Sequence, residues 1–330
     1  MLRIPCLSLM PVLLLIILVS FPCAASEWLH EEAPIMGTLV TVELQASDAS
    51  QGRELIAQVM AEMRRIDELM SPYKPDSELS HVNAAAADAP VSVSRELFAL
   101  LGKARQYSDL TQGAFDITYA SAGYLYDYRV GTRPAPEQLR EAAQHINYRF
   151  VELDEQHSSV RFLHQGVRID LGGIAKGYAV DRCIGILGKA GIHNALVSAG
   201  GDTRVIGRRS DHPWHVGIRD PRKRDGIVSV IPLEDSAIST SGDYERYFEQ
   251  DGVRYHHILD PGSGDSARGL HSVSIIGAHA TDTDALSTSV FVLGVEKGLA
   301  LINSLPDTEA VVIDSSGRLH FSAGLALISQ

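Results

Sequence analysis

Three short segments carry the residue types that phosphate chemistry needs. Asp170-Leu171-Gly172-Gly173-Ile174-Ala175-Lys176-Gly177-Tyr178 reads as a strand ending in a carboxylate, then two glycines, then a helix with a lysine near its start. Free N–H groups at a helix start, with an ammonium nearby, make a place for a phosphate. The same segment also reads as a plain strand–helix turn in which Asp170 is only a cap. Thr281-Asp282-Thr283-Asp284-Ala285-Leu286-Ser287-Thr288 opens a second helix, with Asp284 and Thr288 four apart on one face. A carboxylate and a hydroxyl are hard ligands suited to Mg²⁺, which keeps further positions for water and phosphate oxygens. Helix capping by Asp282 or Thr283 is the alternative. Tyr255-His256-His257-Ile258-Leu259-Asp260-Pro261 sets two histidines before an Asp-Pro turn. A histidine there is either structural or a general base.

Other chemical motifs fail. Ser71-Pro72-Tyr73-Lys74 fits the acyl-serine pattern S-x-x-K, but that motif needs a helix start, and Pro72 and Pro75 bracket it. The chain lacks a G-x-S-x-G elbow, an H-E-x-x-H pair, a Walker lysine and a G-x-G-x-x-G loop, so the common hydrolase, zinc-protease and nucleotide-loop readings lose their usual support.

The elements that must hold these segments come from a 330-residue chain, 45% hydrophobic and 21% charged, with a formal charge of −12. That much apolar surface excludes disorder and coiled coil. The acidic balance disfavours nucleic acid, because phosphate backbones are repelled. Residues 1–26 read as an export signal: Arg3, an apolar run from Met10 to Val19, then Cys23-Ala24-Ala25-Ser26. Cleavage there, lipidation at Cys23 and an uncleaved anchor are the three outcomes. Each puts residues 27–330 outside the cytoplasm, free in the periplasm or held at the inner membrane. Only Cys183 remains beyond that segment, so no internal disulfide is available.

Strands and helices alternate along the rest. Alternating β-rich residues predict a strand over 38–44, and Leu55, Ile56, Val59, Met60, Met63 and Ile66 predict an amphipathic helix over 47–70. Ser94 caps a helix to about Leu110, and a short helix is expected over 134–144. Strands are expected at 149–153, 160–163, 167–170, 195–198, 215–218, 227–231, 254–259, 273–276, 310–313 and 319–321. Helices are expected over 174–190 and over 283–304, the latter interrupted at Gly294, and Ala-rich 83–89 reads as a loop. The fold class is α+β or mixed α/β in one interlocked unit, because no polar linker divides it.

Seven blocks then resemble one family in order: Met36-Gly37-Thr38; Ser71-Pro72-Tyr73 with Asp76-Ser77-Glu78 and Asn83; Gly113-Ala114-Phe115-Asp116-Ile117-Thr118; the stretch from Asp170 to Tyr178; Ser241-Gly242-Asp243-Tyr244; the stretch from His257 to Pro261; and the stretch from Asp284 to Thr288. Together they resemble the FAD:protein FMN transferases, the ApbE or "thiamine biosynthesis lipoprotein" family. The resemblance implies a T-fold-like body with the flavin in a cleft. It also implies an exported enzyme that splits FAD with Mg²⁺, attaches FMN through a phosphoester to a Thr or Ser of a partner flavoprotein, such as a redox-pump or electron-transfer subunit, and releases AMP.

Carried over by position, the resemblance implies that Met36, Tyr73, Ala114, Phe115, Asp116, Asp170, Lys176 and Leu259 contact FAD. Gly173 through its carbonyl, Asp284, Ser287 and Thr288 would bind Mg²⁺. His257 would activate the acceptor hydroxyl, with an acid limb near pH ~6.5 if its pKa is unperturbed. Two departures stand out: Gly262-Ser263-Gly264 where many relatives read Arg-Thr-Gly, and the stretch from Tyr119 to Tyr126, which lacks the frequent Pro- and Trp-containing version. A Mg²⁺-dependent FAD pyrophosphatase and a non-catalytic flavin-delivery protein are the competing functions.

Overall fold

A computed structural model of the chain describes residues 26–223 and 226–328, so all but the last residue of the expected export segment lies outside the described residues. Strands β1 (Glu27–Ile35) and β2 (Thr38–Ala46) pair with Ile35 opposite Thr38. That register leaves Met36 and Gly37 as a two-residue turn, both at positive φ (55° and 70°), the geometry that matches the twist of a hairpin.

Six more strands extend the sheet in chain order: β3 (Ala195–Ala199), β4 (Asp202–Ile206), β5 (Ala237–Gly242), β6 (Leu270–Gly277), β7 (Glu309–Asp314) and β8 (Leu319–Phe321). Every neighbouring pair is antiparallel, which makes the fold α+β rather than α/β. Helices α1 (Ala49–Met70), α2 (Ala175–Lys189) and α3 (Ala280–Asn303) lie against this sheet. Asp48 starts α1 by accepting from the N–H groups of Ser50 and Gln51. The apolar stripe of α1 (Leu55, Ile56, Val59, Met60, Met63, Ile66) is buried with Val40, Val42 and Leu44 of β2. Helix α3 is long and apolar enough to cross a membrane, but Leu286, Val290, Phe291 and Ile302 are buried with β6 and β7 residues instead.

Several expectations change. No strand forms at 167–170. That stretch meets the Asn83 side-chain amide, which donates to Ile169 O (2.9 Å) and accepts from Ile169 N (2.8 Å) as a neighbouring strand would. Asn83 itself sits on a helix, Glu78–Ala85, started by Ser77, so the first part of the expected loop is helical. The strand expected over 254–259 is Val253–His256 and stops there, because its hairpin partner Tyr247–Gln250 ends opposite His256. Gly294 does break α3, with φ 79° and ψ 178°. Ser71 follows the end of α1 instead of starting a helix, as the failed acyl-serine match required.

Candidate active site

Neither α2 nor α3 has a side-chain cap on its preceding residue, Ile174 or His279. The two helices cap each other instead. Asp181 of α2 accepts from the N–H groups of Ala280 and Thr281, both at 2.9 Å, and from the Thr281 hydroxyl. Asp284 of α3 accepts from Gly177 N at 3.0 Å. Each carboxylate satisfies orphan donors and meets the positive end of a helix dipole. Neither Asp282 nor Thr283 is the cap: Asp282 pairs with Lys103 at 2.5 Å, and the Thr283 hydroxyl meets that of Ser239 at 2.8 Å.

The crossing is close enough to require glycine. A Cβ on Gly177 would stand 2.1 Å from Ala280 O and 2.8 Å from Asp284 Cβ. Gly177→Ala should therefore spread α2 from α3, cost about 3 kcal/mol as overpacking does, and displace Asp284. Thermal denaturation beside a transfer assay checks this. An unchanged midpoint with full activity would refute the close packing.

At this crossing Lys176 Nζ donates to Gly172 O (3.1 Å), lies 3.0 Å from Asp202 Oδ2 and 3.7 Å from Asp284 Oδ2. Burial opposes the ammonium, but Asp202 and Asp284 outweigh it and raise the Lys176 pKa. Burial, with Asp202 adding to it, pushes the Asp284 carboxyl well above the usual carboxylate range, against Lys176 and the Gly177 N–H. Hydroxyls complete this corner. Ser241 Oγ is 2.8 Å from Ser287 Oγ and 3.4 Å from Thr288 Oγ1, and Ser287 donates to Asp284 O at 2.9 Å. Gly173 approaches so closely that its Cβ would sit 3.1 Å from Thr288 Oγ1.

Among the described residues no three His, Cys, Asp or Glu side chains are grouped to hold a metal. The donor set here is instead one carboxylate, two hydroxyls and a glycine that can offer its carbonyl. It fits a hard, oxygen-seeking cation that keeps water and phosphate ligands, and it does not fit zinc.

Aromatic and cationic groups surround Asp170. Tyr73 is 79% exposed. Asp170 accepts from Gly172 N at 2.7 Å, a turn of the chain ahead of α2, so it does not cap that helix as the alternative reading required. Burial raises its carboxyl, against that N–H, Arg246, Tyr119 and Lys176. The Arg246 guanidinium would be 3.1 Å from a Cβ on Gly37, so the Met36-Gly37 hairpin turn abuts it.

Arg246 O also accepts from His257 N at 3.1 Å. Past the strand end, His257 Nδ1 is buried without a hydrogen-bond partner. Burial first, then Arg246, His256 and Lys176, push the His257 pKa down to about 3, so the imidazole is neutral. His256 is a different group. Its Nε2 lies 2.9 Å from Ala267 O, and its ring meets Phe291 edge-on at 5.4 Å. Beyond both, Asp260 closes the turn by accepting from the N–H groups of Gly262 and Gly264.

The remaining expected contacts lie deeper. Asp116 has both carboxylate oxygens engaged within the protein, by Thr118 N (2.8 Å) and its hydroxyl, and by Tyr148 N (2.7 Å). Phe115 is buried, and its ring would be 3.3 Å from a Gly173 Cβ. The Leu259 side chain is buried with Ala122 and Tyr126. Ala114 lines a cavity of about 490 Å³ with Asp260, Pro261 and Lys297, and neither Lys176, Asp284 nor His257 belongs to that lining. Two residues escaped the sequence reading. Asp202 directly follows the glycine pair Gly200-Gly201, whereas Asp170 precedes its pair, and Arg246 follows the Ser241–Tyr244 block.

The ApbE family pattern matches residues 36–312, which span every one of these side chains. The chain belongs to the ApbE family. Its relatives include the FAD:protein FMN transferase of Treponema pallidum, 34% identical over 310 residues, with 88% of this chain and 86% of that protein aligned. Another is the FAD:protein FMN transferase of Klebsiella pneumoniae, 32% identical over 304 residues, with 88% and 93% aligned. The crystal structure of the ApbE protein from Thermotoga maritima superposes with a TM-score of 0.85 at 35% identity, covering 92% of this chain and all of that one. The flavin transferase ApbE from Vibrio cholerae gives 0.81 at 28% identity, covering 92% and 99%. The α+β body and its eight-stranded antiparallel sheet are thus an ApbE fold.

Proposed function

We propose that this ApbE-family chain is a Mg²⁺-dependent FAD:protein FMN transferase that modifies a Thr or Ser of a partner flavoprotein outside the cytoplasm. The observation that carries this reading is a neutral imidazole, His257, with an unpartnered ring nitrogen, coupled electrostatically to Lys176 beside Asp284. The acceptor hydroxyl oxygen attacks the FMN phosphorus of FAD. The bond from that phosphorus to the bridging oxygen breaks, and AMP departs with the electron pair. The hydroxyl proton passes to His257, which is unprotonated and so has a free nitrogen for it, though the burial that lowers its pKa also makes it a weaker base than one poised near the working pH. Lys176 adds positive charge where the phosphate oxygens gain negative charge. Gly173, Asp284, Ser287 and Thr288 would hold Mg²⁺, which when bound neutralises and clamps phosphate oxygens. Tyr73 offers an exposed ring for the flavin, and Arg246 lies against the turn that carries Met36.

The apolar run in residues 10–19 supports export, with the body periplasmic or membrane-attached. Incubation with FAD, Mg²⁺ and an acceptor flavoprotein, followed by intact mass of the acceptor, tests the reaction. Gain of one FMN on a Thr or Ser, with equal AMP, is expected. FMN released free in the presence of acceptor would favour the pyrophosphatase. FAD bound and returned intact would favour a delivery protein.

A further inference from the structure

Among the groups at the helix crossing, one buried carboxylate has no role in the reaction above. Asp202, at the start of β4, is 2% exposed. Its backbone is held in place: a Cβ on the preceding Gly201 would stand 2.6 Å from Thr240 O of β5. Its Oδ2 is buried and accepts no well-formed hydrogen bond, yet it lies 3.0 Å from Lys176 Nζ. A buried carboxylate left in this condition is costly unless a cation answers it. Lys176 is that cation, and it is shared. Its ammonium stands nearer Asp202 than Asp284, at 3.0 Å against 3.7 Å.

We propose that Asp202 is a positioning residue that draws the Lys176 ammonium off Asp284, leaving Asp284 without the close ion pair that would compete with a divalent cation. The inference rests on the metal reading of Asp284 given above. With both carboxylates present, one ammonium is shared between two buried acids. Without the Asp202 charge, the ammonium has one carboxylate left to pair with. It then closes on Asp284 and competes directly with the metal. Asp202 therefore acts through Lys176, and its effect on metal binding depends on Lys176 being there.

That dependence is the test. Mn²⁺, a spectroscopically visible stand-in for Mg²⁺, is titrated into the full chain without FAD and its free fraction read by electron paramagnetic resonance. The proteins are the parent, Asp202→Asn, Lys176→Met, the double variant and Asp202→Glu, each checked for folding by circular dichroism. Asp202→Asn should weaken Mn²⁺ binding by roughly tenfold or more, since two buried charges couple strongly at this range. Lys176→Met in the Asp202→Asn background should recover most of that loss, a gain larger than the same change gives in the parent. Asp202→Glu keeps the charge and should stay within a few-fold of the parent. That variant also carries the test if Asp202→Asn does not fold, because a tenfold loss in it would overturn the proposal. Equal gains from Lys176→Met in both backgrounds would show that Asp202 is only a remote charge, and would overturn it. Unchanged binding by Asp202→Asn, with the parent binding Mn²⁺, would overturn this proposal alone. A parent that binds no Mn²⁺ would overturn the metal reading as well.

Discussion

Asp284→Asn should lose FAD cleavage by ~10²–10³-fold while folding like the parent. The amide keeps an oxygen able to accept from Gly177 N, so the mutual capping of α2 and α3 survives. What disappears is the negative charge in the donor set with Thr288 and Ser287. Asp284→Ala should show the same catalytic loss and in addition a lower melting temperature, because Gly177 N then becomes a buried orphan donor, costing about 1–3 kcal/mol. The two variants thus separate the chemical duty of the carboxylate from its structural one. FAD affinity, read from quenching of flavin fluorescence, should fall less than the rate, since the rings keep their contacts. Parent-rate cleavage by Asp284→Asn in Mg²⁺ would reduce Asp284 to a cap.

His257→Ala should bind FAD and lose FMN transfer by ~10²–10⁴-fold, the usual contribution of a general base. His256→Ala should transfer nearly normally but be less stable, having lost the bond to Ala267 O and the edge contact with Phe291. Transfer by His257→Ala with an inactive His256→Ala would reverse the assignment, and full transfer by both would remove the base. The pH profile separates the structure from the sequence expectation. An unperturbed imidazole would give an acid limb near pH ~6.5. Here burial and neighbouring cations lower His257 to about 3, so its protonation should not depress the rate between pH 5 and 8. An acid limb near 6.5 that disappears in His257→Ala would contradict the neutral ring.

Stability should follow the same logic. His256 is lowered to about 4 by burial, so between its unfolded value of ~6.5 and about 4 only the unfolded chain takes up its proton. Stability is therefore lost as pH falls through that window, by up to about 1.4 kcal/mol per pH unit from this histidine.

Much of the scaffold was legible in the sequence because it is specified locally. Ser94 caps its helix through a group three residues away, and the stripe of α1 repeats at helical spacing over a single continuous segment, although Asp48 as its cap sets the start two residues later than the pattern places it. Strands β4 and β5 were not legible. Their residues include Thr203, Ser239 and Ser241, whose hydroxyls pair with Ser198, Thr283 and Ser287, so apolar alternation is missing where hydroxyl contacts replace it. The stretch 167–170 departs from its expected strand for the converse reason. It has strand composition, but the partner that meets Ile169 is one asparagine side chain.

The chemical residues divide in the same way. The sequence by itself determined the lysine at a helix start, the carboxylate and hydroxyl on one helical face, and the histidine before a rigid turn. Each is a relation across a few residues, which backbone geometry enforces wherever the segment lies. Only the tertiary structure decided that α2 and α3 exchange caps through Asp181 and Asp284, that Asp202 shares Lys176 with Asp284, and that Arg246 and burial together keep His257 neutral. Those relations join residues far apart in the chain. They exist because a glycine lets two helices touch and because buried charges must find partners across that contact, conditions that packing sets and local spacing does not.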